Sequence, residues 1–425
     1  PMAEVAALPG WRFTDRSLSN LIAPPFDVIS PQLQAELYAR DPHNVVRLEL
    51  GRETDPYAEA RNTLAIWRRN GVLRQDPPSV YVLRQRFRLD GETFSRRSVL
   101  LRVRLEEWSA GAILPHEETH TRAKADRLRL LQAVWANVSP VFALFDDAQA
   151  ELAPLLAGVT SGAATAEATD GESVEHELWQ VTAATVLEQV HTFFAPRRLF
   201  IADGHHRYET ALALRNGARE DRAHPGATHV MMALTDFADP GLRMLPTHRL
   251  IADLDPAQLR RLAEQLGRWF EVQAAADAPS PAAVTQALAS LSAVEGPAFV
   301  LYGPLPSGLR LLRLKPEWLD HTFDPERSAA WNRLDVSVLH AVLGYEILGI
   351  SREDAAAQRY FSFVQEPAEA LRAVQTGRAQ MAILLRGAPA TIIRDVSLAG
   401  DKMPQKSTYF YPKQPAGLVI NPLDQ

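Results

Sequence analysis

A chain of 425 residues, 46% hydrophobic and 23% charged, is long enough for two cores and too apolar to stay disordered. It has no cysteine, which excludes a disulfide framework and a cysteine-based zinc site. Its formal net charge of -6 argues against a general nucleic-acid partner, and with no signal pattern or bilayer-length apolar run, a cytoplasmic setting without a membrane partner is expected.

In chain order, Ala23-Pro24-Pro25 fixes an extended approach to Phe26–Ile29, where Asp27 reads either as a surface carboxylate or as the mouth of a site. Ser30 as N-cap and Pro31 at the first helical position start a helix over Gln32–Arg40. A strand is expected around Val45–Leu50, then a helix over Tyr57–Asn70 ended by Gly71. From Val80 to Leu105, alternating apolar and polar residues on both sides of Asp90-Gly91 predict a β-hairpin with a basic face. Its arginines either line a polyphosphate site or form the solvated side of a sheet.

The stretch His116-Glu117-Glu118-Thr119-His120 matches H-E-x-x-H, which on a helix places two histidines on one face around a zinc ion. Pro115 before it and the polar residues after it disfavour that helix, so no zinc is expected. Lys124 and Arg127, close in sequence to Glu117 and His120, suggest phosphate chemistry instead, or else an exposed helix start leading into Leu128, Leu131 and Val134. Ala148–Glu172 reads as a helix followed by a flexible linker, and Thr182–Phe194 as an amphipathic helix.

Leu199–Ala202 is a short apolar run of the kind that becomes a buried strand. Asp203 and Gly204 interrupt it, and Tyr208, Ala211 and Leu212 then fall at helical spacing. His205, His206 and Arg207 therefore occupy the first helical turn, where free N–H groups and the macrodipole normally disfavour cations. Donors concentrated there point to an anion, with Arg207 adding a planar fork for phosphate, sulfate or carboxylate.

Thr228–Thr235 is an expected strand, followed by a turn at Asp239-Pro240-Gly241. The next strand ends at Pro246-Thr247-His248-Arg249, a His–Arg pair that would face the same anion or simply sit in the sheet. Helices over Pro256–Leu266 and Pro281–Leu291, strands near Phe299–Tyr302 and Leu309–Leu314, and a long helix over Ala329–Leu348 form a second α/β alternation. A helix over Ala368–Thr376 and a strand over Gln380–Leu385 follow. The loop from Lys402 to Lys413, holding Lys406, Ser407 and three aromatic residues, reads as a lid over a phosphorylated ligand or as a loop pinned by Tyr409 and Phe410.

The run IADGHHRYETAL at Ile201–Leu212 resembles the ADGHHRYETA signature of a large bacterial family of unknown function, often labelled ParB-like because ParB and sulfiredoxin-type domains carry a comparable acidic-Gly-basic turn. The resemblance extends to APPFDVIS at 23–30, LPHEETH at 114–120, LPTHRL at 245–250 and MPQKSTYFYPK at 403–413. It implies a mixed α+β protein with a ParB/sulfiredoxin-like domain over 2–250 and a C-terminal α/β domain over 251–425 carrying a closing loop. Some members of the wider group are kinases of free serine that use a nucleotide or pyrophosphate donor. The absence of a strong helix-turn-helix pattern or basic tail disfavours a DNA-partition role.

The combined expectation is phosphoryl transfer from ATP, ADP or pyrophosphate to a small hydroxyl substrate, with Mg2+ arriving on the donor phosphates. Asp203, Glu117 and His205 are the candidate catalytic groups. Gly204, His206, Arg207, His116, His120, Lys124, Arg127, His248, Arg249, Lys406 and Ser407 are the candidate phosphate or ligand contacts. Two rivals remain at this stage: a metal-dependent hydrolase built on His116, Glu117 and His120, and a non-catalytic nucleotide-binding switch.

Overall fold

Alternation over Val80–Leu89 and Glu92–Arg104 produces two long paired strands, and the sheet around them organises the first of two units. In the computed structural model the described residues are 2–117, 121–217, 224–277, 279–304, 307–404 and 406–424. One unit comprises Pro1–Pro115, Thr119–Arg243 and Phe410–Gln425, the other His116–Glu118 and Met244–Tyr409. The division falls at Arg243/Met244, where the sequence suggests 250, and the last residues belong to the first unit.

The first unit's sheet contains nine strands among the described residues. They are β1 (Val5–Ala6), β2 (Val80–Leu89), β3 (Glu92–Arg104), β4 (Ile113–Leu114), β5 (Val141–Phe145), β6 (Ala166–Thr169), β7 (Glu175–Val181), β8 (Leu199–Asp203) and β9 (His229–Asp236). Their order is β4-β8-β5-β9-β3-β2-β7-β6, with β1 also on β3. Most neighbours are antiparallel, but β8–β4 and β9–β5 are parallel, so the class is mixed α+β. Helices α1 (Pro31–Arg40), α2 (Val46–Glu49), α3 (Pro56–Arg69), α4 (Thr121–Val134), α5 (Ala184–Phe194) and α6 (His205–Gly217) are among the unit's helices. Its core joins Val99, Leu101 and Val103 of β3 to Phe194 of α5 and Tyr208 and Ala211 of α6, burial worth about 25 cal/mol per Å² of apolar surface.

The second unit is built on six antiparallel strands: β10 (His248–Ile251), β11 (Phe270–Ala276), β12 (Ala298–Pro304), β13 (Ser307–Leu314), β14 (Phe361–Val364) and β15 (Met381–Leu384). Their order is β11-β13-β12-β15-β10-β14. Alternation sends Ile251, Phe299 and Leu312 into one core and Leu250, Val300 and Leu311 into another, one on each face.

Three expected elements differ from the sequence reading. Val46–Glu49 is helical, not a strand, because the Asn44 carboxamide accepts from Val46 N–H at 3.0 Å and donates to the carbonyls of Asn20 and Ile22, which bends the chain. The expected linker before Glu172 contains β6, an alanine- and threonine-containing strand paired to β7; tertiary pairing outweighs its weak local propensity. The expected helix over Ala329–Leu348 breaks into Ala329–Asn332, Asp335–Val338 and a π-helix over Leu339–Ile347. The first break follows from Asn332, whose amide donates to the carbonyls of Asp324, Arg327 and Ser328, and from Arg386, which holds Asp335 through two nitrogens at 2.7 and 3.0 Å.

Candidate functional site

Four fully buried residues, Leu199–Ala202, carry β8 to Asp203 at its end. Gly204 then takes φ +87°, open to glycine without penalty, and its N–H donates to Asp203 Oδ1 at 2.8 Å. Tyr208 N–H donates to the Gly204 carbonyl at 3.0 Å, which starts α6. A Cβ on Gly204 would lie 2.8–2.9 Å from the Arg207 guanidinium, so Arg207 folds back over the turn. Its Nη1 donates to the Pro140 carbonyl, and its Nη2 lies 3.7 Å from Asp203 Oδ2.

A second cation arrives from far along the chain. Lys413 Nζ lies 3.0 Å from Asp203 Oδ2 across 210 residues of sequence. Arg96 of β3 holds that segment in place. Fully buried, it donates to the carbonyls of Tyr411 and Pro412 and to Gln85 Oε1, while Gln85 Nε2 donates to the Lys413 carbonyl. Burial pulls the Arg96 pKa down to about 10, against the opposing effect of Asp239 and Asp203, and its guanidinium sits 4.8 Å from the Phe142 ring centre.

Burial alone would raise the Asp203 pKa, but the Lys413 ammonium, then the Arg207 guanidinium and His205, outweigh it and hold the carboxyl well below the usual range. Asp203 is thus anionic at any physiological pH and a poor proton acceptor. One carboxylate meets two cationic side chains at a helix N-terminus, an end that is itself positive. His205 is 7% exposed. His206 is half-buried, and its carbonyl accepts from the Thr210 hydroxyl.

The structure assigns Lys124 and Arg127 other work than the expected phosphate contacts. Lys124 Nζ pairs with Glu209 on α6 at 2.5 Å, linking α4 to α6. Arg127 is buried, bonded to Asp126 and the Glu49 carbonyl and set over the Phe26 ring. On the hairpin, Arg84 and Arg86 pair with Glu177 of β7, and Arg104 pairs with Glu4. Those pairs make the basic face a charge-matched sheet surface.

The remaining candidates lie in the second unit. His116 is fully buried, with Nε2 2.9 Å from Thr408 Oγ1 and its carbonyl accepting from Met403 N–H. Glu117 Oε1 accepts the Lys406 N–H at 2.8 Å, and the Ser407 hydroxyl donates to the Pro404 carbonyl. His120 lies outside the described residues, among which no group of three His, Cys, Asp or Glu is placed to hold a metal. His248 and Arg249 are buried strand residues of β10, in keeping with the second of the two expectations, a pair that sits in the sheet. His248 Nδ1 accepts from Leu385 N–H, and burial pushes its pKa down to about 4. Arg249 donates to the Thr247 carbonyl, and burial pulls its pKa to about 9 against the attraction of Glu117.

Sequence reasoning names Asp203 and reads the loop from Lys402 to Lys413 as closing over a phosphorylated ligand, but it singles out neither Arg96 nor Lys413 as the residue that meets Asp203. Arg96 looks like its exposed neighbours on the hairpin, and nothing local marks a contact 210 residues away.

The profile of a family described as "Protein of unknown function (DUF1015)" matches residues 5–337, and the chain belongs to that family. The description carries no ParB assignment. No curated protein sequence matches the chain. Among solved structures, a conserved hypothetical protein from Pyrococcus furiosus is 12% identical, with 76% of this chain and 95% of that one covered at a TM-score of 0.37. A free serine kinase in complex with AMP is 11% identical, with 77% and 92% covered at 0.39. SbnI with C-terminal truncation from Staphylococcus aureus is 10% identical, with 76% and 87% covered at 0.36. All three scores are too low to transfer an activity.

Proposed function

We propose that the head of α6 binds the phosphate of a nucleotide or of pyrophosphate, and that the protein transfers a phosphoryl group to a small hydroxyl substrate such as free serine. The observation that carries this reading is the second cation. Lys413 is brought to a helix N-terminus that already holds Arg207, and both cations meet the carboxylate of Asp203. Phosphoryl transfer uses cations gathered in this way, because catalysis rests on positioning and on stabilising charge over the transferring oxygens.

In this reading Arg207, Lys413 and the first-turn N–H groups hold the donor phosphates. Asp203, too acidic to serve as base, anchors both cations and fixes the turn. The substrate oxygen attacks phosphorus as the bond to the leaving phosphate or nucleotide breaks, and the hydroxyl proton passes to the imidazole of His205. Asp203 already serves Lys413, Arg207 and the Gly204 N–H, so it is not a spare magnesium ligand. The ion would come with the donor, and no step here runs through it.

The test is a phosphorus NMR assay of serine with ATP, ADP or pyrophosphate, run beside calorimetric titration of the same donors. Phosphoserine formed by the native protein and lost in Arg207→Ala supports the reading. Donor binding without transfer replaces it with a nucleotide switch. No binding of any phosphate donor reduces the turn to a structural ion pair.

A further inference from the structure

The second unit contains a cleft of about 330 Å³ beside the π-helix Leu339–Ile347. In an α-helix of 3.6 residues per turn, positions five apart project about 140° from one another. The wider π register, bonded i to i+5, brings them together, and the rings of His340 and Tyr345 lie 6.3 Å apart, both lining the cleft. Such turns are rare and concentrate at functional sites.

His340 is 7% exposed, and its Nε2 has no hydrogen-bond partner among the described residues. Burial, with Arg249 nearby, pushes its pKa down to about 3, so the imidazole is neutral and offers one donor or one acceptor at that nitrogen. A buried polar atom left unpaired is destabilising, and a ligand group would remove that penalty. Trp331 and Phe363 supply further aromatic wall.

The charges around the cleft are unequal in their commitments. Arg327 pairs with Asp401 at 2.9 Å, and Arg352 with Asp324 at 2.9 Å. Lys402 has no carboxylate in ion-pair range among the described residues, and Glu353 is the acidic residue named on the lining. One uncommitted cation beside one carboxylate suits a monoanion better than a dianion.

We propose that this cleft is a ligand site of the second unit's own, taking a planar heteroaromatic monoanion. Its ring lies against Trp331, Tyr345 and Phe363, a ring nitrogen meets His340 Nε2, and a carboxylate meets Lys402. The site is independent of phosphate binding at α6.

Nicotinate, benzoate and nicotinamide form a matched set, in which benzoate lacks the ring nitrogen and nicotinamide lacks the charge. Titrating the full chain by saturation-transfer NMR should show nicotinate binding at least about tenfold more tightly than either, a gap of about 1.4 kcal/mol. Lys402→Ala, at a partly exposed position, should fold normally and erase the preference for nicotinate over nicotinamide. His340→Phe should erase the preference over benzoate, and Arg207→Ala should leave nicotinate binding intact. No nicotinate binding, equal binding of all three probes, unchanged affinity in Lys402→Ala, or loss of binding in Arg207→Ala would each overturn the assignment. None of these results bears on whether phosphate binds at α6.

Discussion

The head of α6 and the cleft beside the π-helix solve opposite electrostatic problems. At α6 a carboxylate held well below its usual range is already engaged by Lys413, Arg207 and a backbone N–H, so two cations gather at a helix N-terminus. Beside the π-helix the imidazole is neutral and its outer nitrogen is unpaired among the described residues. The first arrangement is complete as folded and would bind by sharing its cations. The second is incomplete and would bind by filling a vacancy. Full pairing therefore does not mark a structural site, nor does a vacancy mark a defect.

The sharpest way to break this comparison is to remove the group that completes the first arrangement. Arg96→Ala would strand the buried carbonyls of Tyr411 and Pro412 and the Gln85 amide oxygen, at a cost of about 3–5 kcal/mol. Denaturant unfolding measures it, and a loss below about 1 kcal/mol would show that Lys413 is held by something else.

The next effect separates the units by pH. His248 and His340 have folded pKa values near 4 and 3, below the ordinary 6.5, so the unfolded chain binds more protons in between. Their contribution is present above pH 6.5 and is lost as pH falls toward 4 and then 3, about 3 kcal/mol or more for each. Asp203 also has a lowered pKa, but its contribution is lost only below its ordinary 3.8. His229 of the first unit is pushed the same way as the two histidines, by less. Acid unfolding should therefore begin in the second unit, and His248→Gln with His340→Gln should flatten stability between pH 4 and 6.5. Circular dichroism melts across that range would show it. An unchanged slope would remove these histidines as the cause.

Smaller again is Arg207→Ala, expected to weaken donor binding by about 1.5–3 kcal/mol through one charge-assisted contact. Calorimetry reads it, and unchanged affinity would leave the turn without a ligand. The smallest effect belongs to Lys406→Ala, which removes an exposed side chain while keeping the N–H that Glu117 accepts. Melting should report a stability change within about 0.5 kcal/mol. A larger loss would mean that the Lys406 side chain holds the loop.

What was legible follows from how local each cause is. The strand, Asp-Gly turn and helix at 199–217 are written in adjacent residues: four apolar positions, one glycine able to take positive φ, and helical spacing afterwards. The hairpin over 80–104 is equally local. The burial of Arg96 and the reach of Lys413 depend on a segment more than three hundred residues from Arg96, and no window of sequence contains both. The π-helix has the composition of an ordinary buried helix, so periodicity places Leu334, Val338 and Val342 in a core and misses the change of register. For His248 and Arg249 the sequence leaves a ligand-facing and an in-sheet reading open, because strand burial on both faces cannot be read from two residues.

Residues 414–423 are buried in the first unit, yet they follow the whole second unit in the chain. Asn421 accepts from Arg102 and donates to Asn137, and Ile420 exchanges backbone bonds with Trp11 at 2.8 and 2.9 Å. During translation the first unit must therefore wait, with a gap beside Trp11, Arg102 and Asn137, while the 166 residues Met244–Tyr409 are made. The last step of its folding comes after the second unit has been made, even though most of the first unit is synthesised before it. A protein cut between Arg243 and Met244 would lack that piece, and a peptide carrying residues 410–424 supplied in trans should restore it.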